Sequence, residues 1–228
     1  MEPLNSWWRD LTGSRVTPSM YLDSFGETVY MVGVALFIGA LVGIPLALAL
    51  VITRPGGLRP NRLVYGVLNV VVNIIRSLPF IILLVAISPF TRSIVGTSIG
   101  TTAALVPLTL YIAPFIARLI EQSLLEVNPG IIEAAESMGA NMWQTIRHFL
   151  LPEAKSSIIL AITTATVGLI SATAMAGTIG GGGVGDLAIA YGYQQFDSVA
   201  MLTTVIILII VVQAIQSLGN TLARRARA

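Results

Sequence analysis

Five long apolar runs dominate this chain and leave little choice about its folded form. They are Val29–Ile52, Leu63–Phe90, Thr101–Leu125, Ser156–Ile179 and Val199–Leu218. About 20 apolar residues suffice for a helix to cross the hydrocarbon layer of a membrane. Only helices and closed barrels satisfy every backbone polar group there, and runs this long read as helices. The first, fourth and fifth are uncharged, the second is interrupted by Arg76, and the third is uncharged until Arg118. Charged residues make up only 11% of the chain and mean hydropathy is +0.84. A soluble domain carries about a quarter charged residues, so this chain could not clothe a water-facing surface of its size. The expectation is an all-α membrane protein, one transmembrane domain over residues 1–228 with five spans, surrounded by membrane lipid. The second span is the most disturbed, by Arg76, Pro79 and Pro89.

Basic residues in the short loops set the expected orientation. Arg54, Arg59, Arg62, Arg118, Arg147, Lys155, Arg224, Arg225 and Arg227 fall on one side, and Arg9, Arg15 and Arg92 on the other. Nine against three puts the N-terminus outside and the C-terminus in the cytoplasm. No basic n-region precedes the first run, which is longer than the core of a cleaved signal. Trp7 and Trp8 read either as anchors at the lipid headgroup level or as an ordinary exposed tail.

Small residues mark faces where helices approach closely. Gly39 and Gly43 lie four apart in the first run, just before Pro45, and Thr164, Gly168, Ala172, Ala176 and Gly180 make a stripe in the fourth. Such stripes serve helix packing, either within one chain or at a subunit interface or pathway. Pro107 and Pro114 are expected to break the third span and free carbonyls for other donors.

Residues 128–152 between spans three and four lie on the expected cytoplasmic side. Asn128 can cap a helix whose first residue is Pro129, and Gly139 is its stop. Asn141 can cap a second helix with Gln144 reaching back. Met142, Ile146, Phe149 and Leu150 fall on one face of that helix, and Pro152 is expected to end it. Two short helices, each apolar on one side, form a surface suited to docking.

Within this loop Glu133-Ala134-Ala135 is followed after three residues by Gly139, and after eleven more by Leu151-Pro152. This resembles the EAA loop of ABC-importer permeases, departing from it in having Phe149 where Ile is usual. The resemblance implies a type I ABC-importer permease with a cytoplasmic two-helix coupling loop. In that family the loop fits a groove on the ATPase subunit. Glu133, Ala134, Ala135, Gly139, Leu151 and Pro152 become coupling residues, with Ala135 and Gly139 against the ATPase and Glu133 fixing the loop by a charged hydrogen bond. The stretch Arg76-Ser-Leu-Pro-Phe80, the glycine-rich Ala174–Asp186 and Tyr191-Gly-Tyr193 are similar to the permeases of methionine uptake systems. Related permeases for other amino acids and osmolytes share parts of them. The implied assembly is a homodimer with two cytoplasmic ABC ATPase subunits and an extracytoplasmic substrate-binding protein, in a bacterial inner membrane.

Other chemistries find no support in the residues. Gly180–Gly185 satisfies G-x-G-x-x-G but lacks the βαβ surroundings a dinucleotide site needs. Lys155 is the only lysine and no P-loop occurs, so ATP hydrolysis must come from another subunit and no cofactor is implied. With one histidine, His148, and no cysteine there is no multi-His or thiolate metal site. A basic patch for nucleic acid is absent. An ion channel or ion-coupled carrier would be expected to show several ionisable residues inside its spans, where Arg76 is the one apparent case. Arg76 beside Pro79 reads either as a structural residue bonded to freed carbonyls or as part of a pathway. Ser171, Thr173 and Met175 in the fourth span are the other pathway candidates.

Overall fold

The computed structural model describes residues 13–227, which leaves Trp7, Trp8 and Arg9 outside the described residues. The described residues form helices and connecting turns. Helix α1 spans Pro18–Thr53 and carries Pro45 inside it. Helix α2 covers Arg62–Ser77, α3 Phe80–Ala86 and α4 Ser88–Val95. Helix α5 spans Thr101–Leu125 and α6 Pro129–Ser137. Helix α7 runs Met142–Gly177, α8 covers Gly183–Leu187, and α9 spans Ser198–Arg227.

Four of these, α1, α5, α7 and α9, are long and apolar enough to cross a membrane, and the bent pair α2 and α3 makes a fifth if taken as one broken span. The second run is therefore not one helix over Leu63–Phe90. Proline has no N–H and its ring clashes with the carbonyl four residues back. Pro79 stands extended at φ −55° and ψ 135°, and the chain turns by 100° between α2 and α3. Pro89 opens α4 in the first turn, where no N–H is needed. The third span behaves otherwise. Helix α5 passes through Pro107 and Pro114 without a break, because packing around a long apolar helix compensates the lost bonds.

Two compact units are built from interleaved stretches: residues up to 37, 78–111 and 166–214 in one, and 38–77, 112–165 and 215 onward in the other. In the first, Val16, Tyr21, Leu187 and Ala200 form a small buried cluster. The glycine-rich segment after α7 packs back on its own helix. A Cβ on Gly177 would meet the backbone of Asp186, and one on Gly185 the backbone of Ala174. Two of its amides are held by α1: Gly183 N–H donates to Glu27 Oε2 at 2.7 Å and Val184 N–H to Thr28 Oγ1 at 2.9 Å. Close approach of neighbouring atoms explains the glycines of this segment. Burial first, and the Glu27 charge second, push the Asp186 carboxyl above its ordinary range.

In the second unit, the Gly39 and Gly43 face of α1 lies against α5. A Cβ on Gly39 would meet the Ile112 side chain, and one on Gly43 would come to 2.6 Å from the Ala113 carbonyl oxygen. This small-residue pair is a packing seam within the chain. Helix α9 meets α7 the same way, since a Cβ on Gly219 would strike Thr163. Ser156 Oγ donates to the Ala223 carbonyl at 3.0 Å and accepts from Arg227 Nε at 2.8 Å.

Candidate functional site

The two-helix loop begins as its caps require. Asn128 accepts from Gly130 N–H at 2.9 Å, with Pro129 in the first turn of α6. The helix closes with Gly139 at φ +79°. Gly139 N–H donates to the Glu136 carbonyl at 2.9 Å and Ala140 N–H to the Ala135 carbonyl at 3.0 Å. That pair of bonds is the Schellman termination, which needs a left-handed residue at this position. Helix α7 then opens on a reciprocal box: Gln144 N–H donates to Asn141 Oδ1 at 3.0 Å and Asn141 N–H to Gln144 Oε1 at 2.9 Å.

Beyond the cap the structure departs from the expected stop at Pro152. Residues Thr145–Leu150 form a π-helical turn and Leu151–Gly177 continue as α-helix. Leu151 N–H reaches back five residues to the Ile146 carbonyl. This wider bonding pattern makes room ahead of the proline, which has no N–H to place in an α-helical ladder. The loop's second helix and the fourth span are thus one helix.

Burial divides the residues of the loop. Ala135, expected against a partner, is completely buried, as are Ile146 and Leu150 to within 2%. These three hold the loop to the rest of its unit. Glu133, Ala134, Gly139 and Pro152 are exposed and Leu151 is half-buried. The outward apolar residues are Met138, Met142 and Trp143, with 68%, 40% and 61% of their surface open. Spacing groups Met142 with Ile146 and Leu150, but only the latter two turn inward. Glu133 and Glu136 also line a cleft of about 280 Å³ that Arg54, Gly57 and Leu58 close from the α1–α2 connection.

The membrane-spanning candidates separate in the same way. Arg76 is exposed, with its guanidinium carbon 5.9 Å from the centroid of the Phe115 ring, a cation–π distance. Pro79 is exposed at the break after α2. On α7, Ser171 and Met175 are exposed, whereas Thr173 is 2% exposed and donates to the Ile170 carbonyl at 2.7 Å. Thr173 therefore does not share a face with the other two. Ala172 and Ala176 of the small-residue stripe are buried as well.

One cluster escaped the sequence reading. Arg118 Nη1 donates to Glu121 Oε2 at 2.7 Å, and Nη2 to Asn69 Oδ1 at 2.7 Å and Asn73 Oδ1 at 2.8 Å. Glu121 is 3% exposed and lies inside α5, not beyond its end. The signal was present: Asn69 and Asn73 are four apart and Arg118 and Glu121 three apart, the spacings that share a helix face.

The comparisons agree with this architecture. The sequence pattern of the family described as "Binding-protein-dependent transport system inner membrane component" matches residues 39–228. The "Probable D-methionine transport system permease protein MetI" of Vibrio cholerae is 52% identical over 206 residues, covering 90% of this chain and 92% of that protein. The protein of the same name from Pasteurella multocida is 47% identical, covering 87% and 92%. A solved inward-facing conformation of the MetNI methionine ABC transporter aligns with TM-score 0.89 and 43% identity, covering 92% of this chain and 97% of that one. An amino acid ABC transporter solved with histidines aligns with TM-score 0.75 at 20% identity, which shows a shared fold.

Proposed function

Since the chain belongs to the family of inner membrane components of binding-protein-dependent transport systems, we propose that it is the permease subunit of an ATP-driven importer of methionine. Relatives named as D-methionine permeases, near half identical over most of both chains, support the substrate. The likeness to a MetNI complex supports a second copy of the chain and a separate ATPase. The observation that carries the mechanism is the two-helix loop, whose glycine-terminated first helix and boxed second helix present Met138, Met142 and Trp143 outward.

In this reading the loop is cytoplasmic and docks on the ATPase, with Glu133, Ala134, Gly139, Leu151 and Pro152 in or beside the contact. Ala135 serves by packing inward. The N-terminus lies outside, where an extracytoplasmic binding protein delivers substrate. ATP binding and hydrolysis shift the loop, and the bundles alternate between two packed arrangements. Arg76, Pro79, Ser171 and Met175 are the exposed candidates for the path, while Thr173 is buried.

Purification with the natural ATPase and binding protein, followed by ATP hydrolysis in vesicles, tests this. L- or D-methionine presented by the binding protein should stimulate hydrolysis and uptake. Stimulation by a different amino acid alone would move the substrate while keeping the permease, and failure to retain any ATPase would end the reading.

A further inference from the structure

Helix α2 has three faces, and one of them is out of place against lipid. At about 100° per residue, Asn69, Asn73, Arg76 and Ser77 fall within one arc. Leu63, Val67, Val70 and Ile74 fall on another, each more than half exposed. Val72, on the third, is completely buried. The second face suits acyl chains. The first cannot meet them, because polar and ionisable groups within spans turn to protein or to water.

The break after α2 points the same way. Leu78 and Pro79 are exposed where the chain turns by 100°. Non-helical backbone at membrane depth is tolerated only inside protein or along a water-filled cavity. Ser77 Oγ donates to the Asn73 and Ile74 carbonyls at 2.9 Å, so its hydroxyl is turned back onto its own helix. Arg118 bonds to both Asn69 and Asn73 while its charge is met by Glu121. The polar face is thus tied to α5 by a cation whose counter-ion is buried.

We propose that the Asn69–Asn73–Arg76–Ser77 face and the adjoining break form a water-lined wall of the translocation path, and that Arg118 is the positioning residue that holds this wall against α5. The assignment rests on the permease reading, and it adds the chemistry of the path: amide, hydroxyl and guanidinium groups suited to a zwitterionic solute.

Cysteine substitution tests it, because the chain has no cysteine of its own. Ser77→Cys and Ile74→Cys are compared in the complete complex in vesicles, with a charged methanethiosulfonate and mass analysis of this chain. A thiol in apolar surroundings stays protonated and inert, so the Ser77→Cys variant should react at least about tenfold faster. Equally slow reaction, or a disulfide linking the introduced thiols of two copies, would overturn the wall. The double variant Arg118→Gln/Glu121→Gln removes both charges without leaving one unpaired. It should change the Ser77→Cys rate at least about threefold, and an unchanged rate would overturn the positioning role. Labelling needs no transport, so a silent Ser77→Cys variant in a methionine-stimulated complex would refute the wall and leave the permease reading intact. A reactive one in a complex stimulated by another amino acid would uphold the wall and move only the substrate, and a reactive one in a chain that retains no ATPase would end the permease reading.

Discussion

The carboxylate of Asp197 accepts the hydroxyl of Ser14 at 2.8 Å, closing a contact between residues 183 positions apart. The same oxygen accepts Arg15 N–H at 2.8 Å, and the other caps α9 by accepting Ala200 N–H at 2.9 Å. Burial alone would raise this carboxyl, but the bonds from Ala200, Arg15, Ser14 and Val199 together hold it below its ordinary range. A carboxylate with a lowered folded-state pKa contributes stability above its unfolded value and loses it as pH falls through the folded one. Asp197→Asn should therefore lower the apparent melting temperature at pH 7, by the equivalent of about 1 kcal/mol, the difference between hydrogen bonds to a charged and to a neutral acceptor. The gap to wild type should start to narrow below the ordinary carboxylate value of about 3.9 and close only as pH falls through the lowered folded-state value. A gap unchanged down to pH 3 would show that the charge of Asp197 is not what matters.

Gly43 and Gly33 sit on the same helix with opposite surroundings. A Cβ on Gly43 would stand 2.6 Å from the Ala113 carbonyl oxygen, and one on Gly33 would meet nothing within 4 Å. Gly43→Ala should destabilise the protein by about 1–3 kcal/mol, the range for overpacking. Gly33→Ala should be neutral or slightly stabilising, as alanine is the better helix former. Comparable melting temperatures for the two variants would remove the α1–α5 seam.

The left-handed backbone at Gly139 separates a folding role from a docking role in the loop. Asparagine tolerates φ near +79° far better than leucine does. Gly139→Asn should keep both ATPase binding and stimulated hydrolysis, whereas Gly139→Leu should lose them while the chain still inserts in the membrane. Trp143, 61% exposed, carries no such backbone constraint. Trp143→Ala should weaken co-purification of the ATPase at least tenfold, about 1.4 kcal/mol, without lowering the permease's own melting temperature. Equal loss of both would make Trp143 structural.

Orientation is testable with impermeant thiol reagents on single cysteines. Ser14 is a poor site, being 2% exposed. Thr97, Gln195 and Arg225 are exposed and report better. Cysteines at Thr97 and Gln195 should label from outside in intact cells, and one at Arg225 only after permeabilisation, as the basic-residue distribution requires. The inverse pattern would put the coupling loop outside and end the proposed mechanism.

Local chemistry proved readable where it is written in a few adjacent residues. Asn128-Pro129, Gly139 and the Asn141–Gln144 box all act through bonds two to five residues long, and each stands where spacing put it. Proline was harder. Pro79 breaks its helix, while Pro107, Pro114 and Pro152 do not. The ring imposes the same local cost in each case, and tertiary packing, which spacing does not encode, decides whether it is absorbed. Neighbours on α7 make the same point. Ser171 is exposed and Ala172 buried, so a stripe of small residues reveals close packing without revealing which partner it packs on. The cluster around Glu121 was hidden for a related reason: both Arg118 and Glu121 lie inside the Thr101–Leu125 run, but their link to Asn69 and Asn73 exists only once α2 is seen beside α5.

The π-turn at Thr145–Leu150 acts as a phase setting between the outward face of the loop and the span it joins. A helix advances about 100° per residue, and a π-turn holds one residue more than the α-turn it replaces. Deleting a single residue there would regularise the helix and keep Trp143 in phase with Ser171 and Met175, whereas forcing all the same residues into α-helix would rotate Trp143 by roughly that angle. In that second case the chain would still insert and still present an aromatic residue, but in a different direction from the one its loop now gives it.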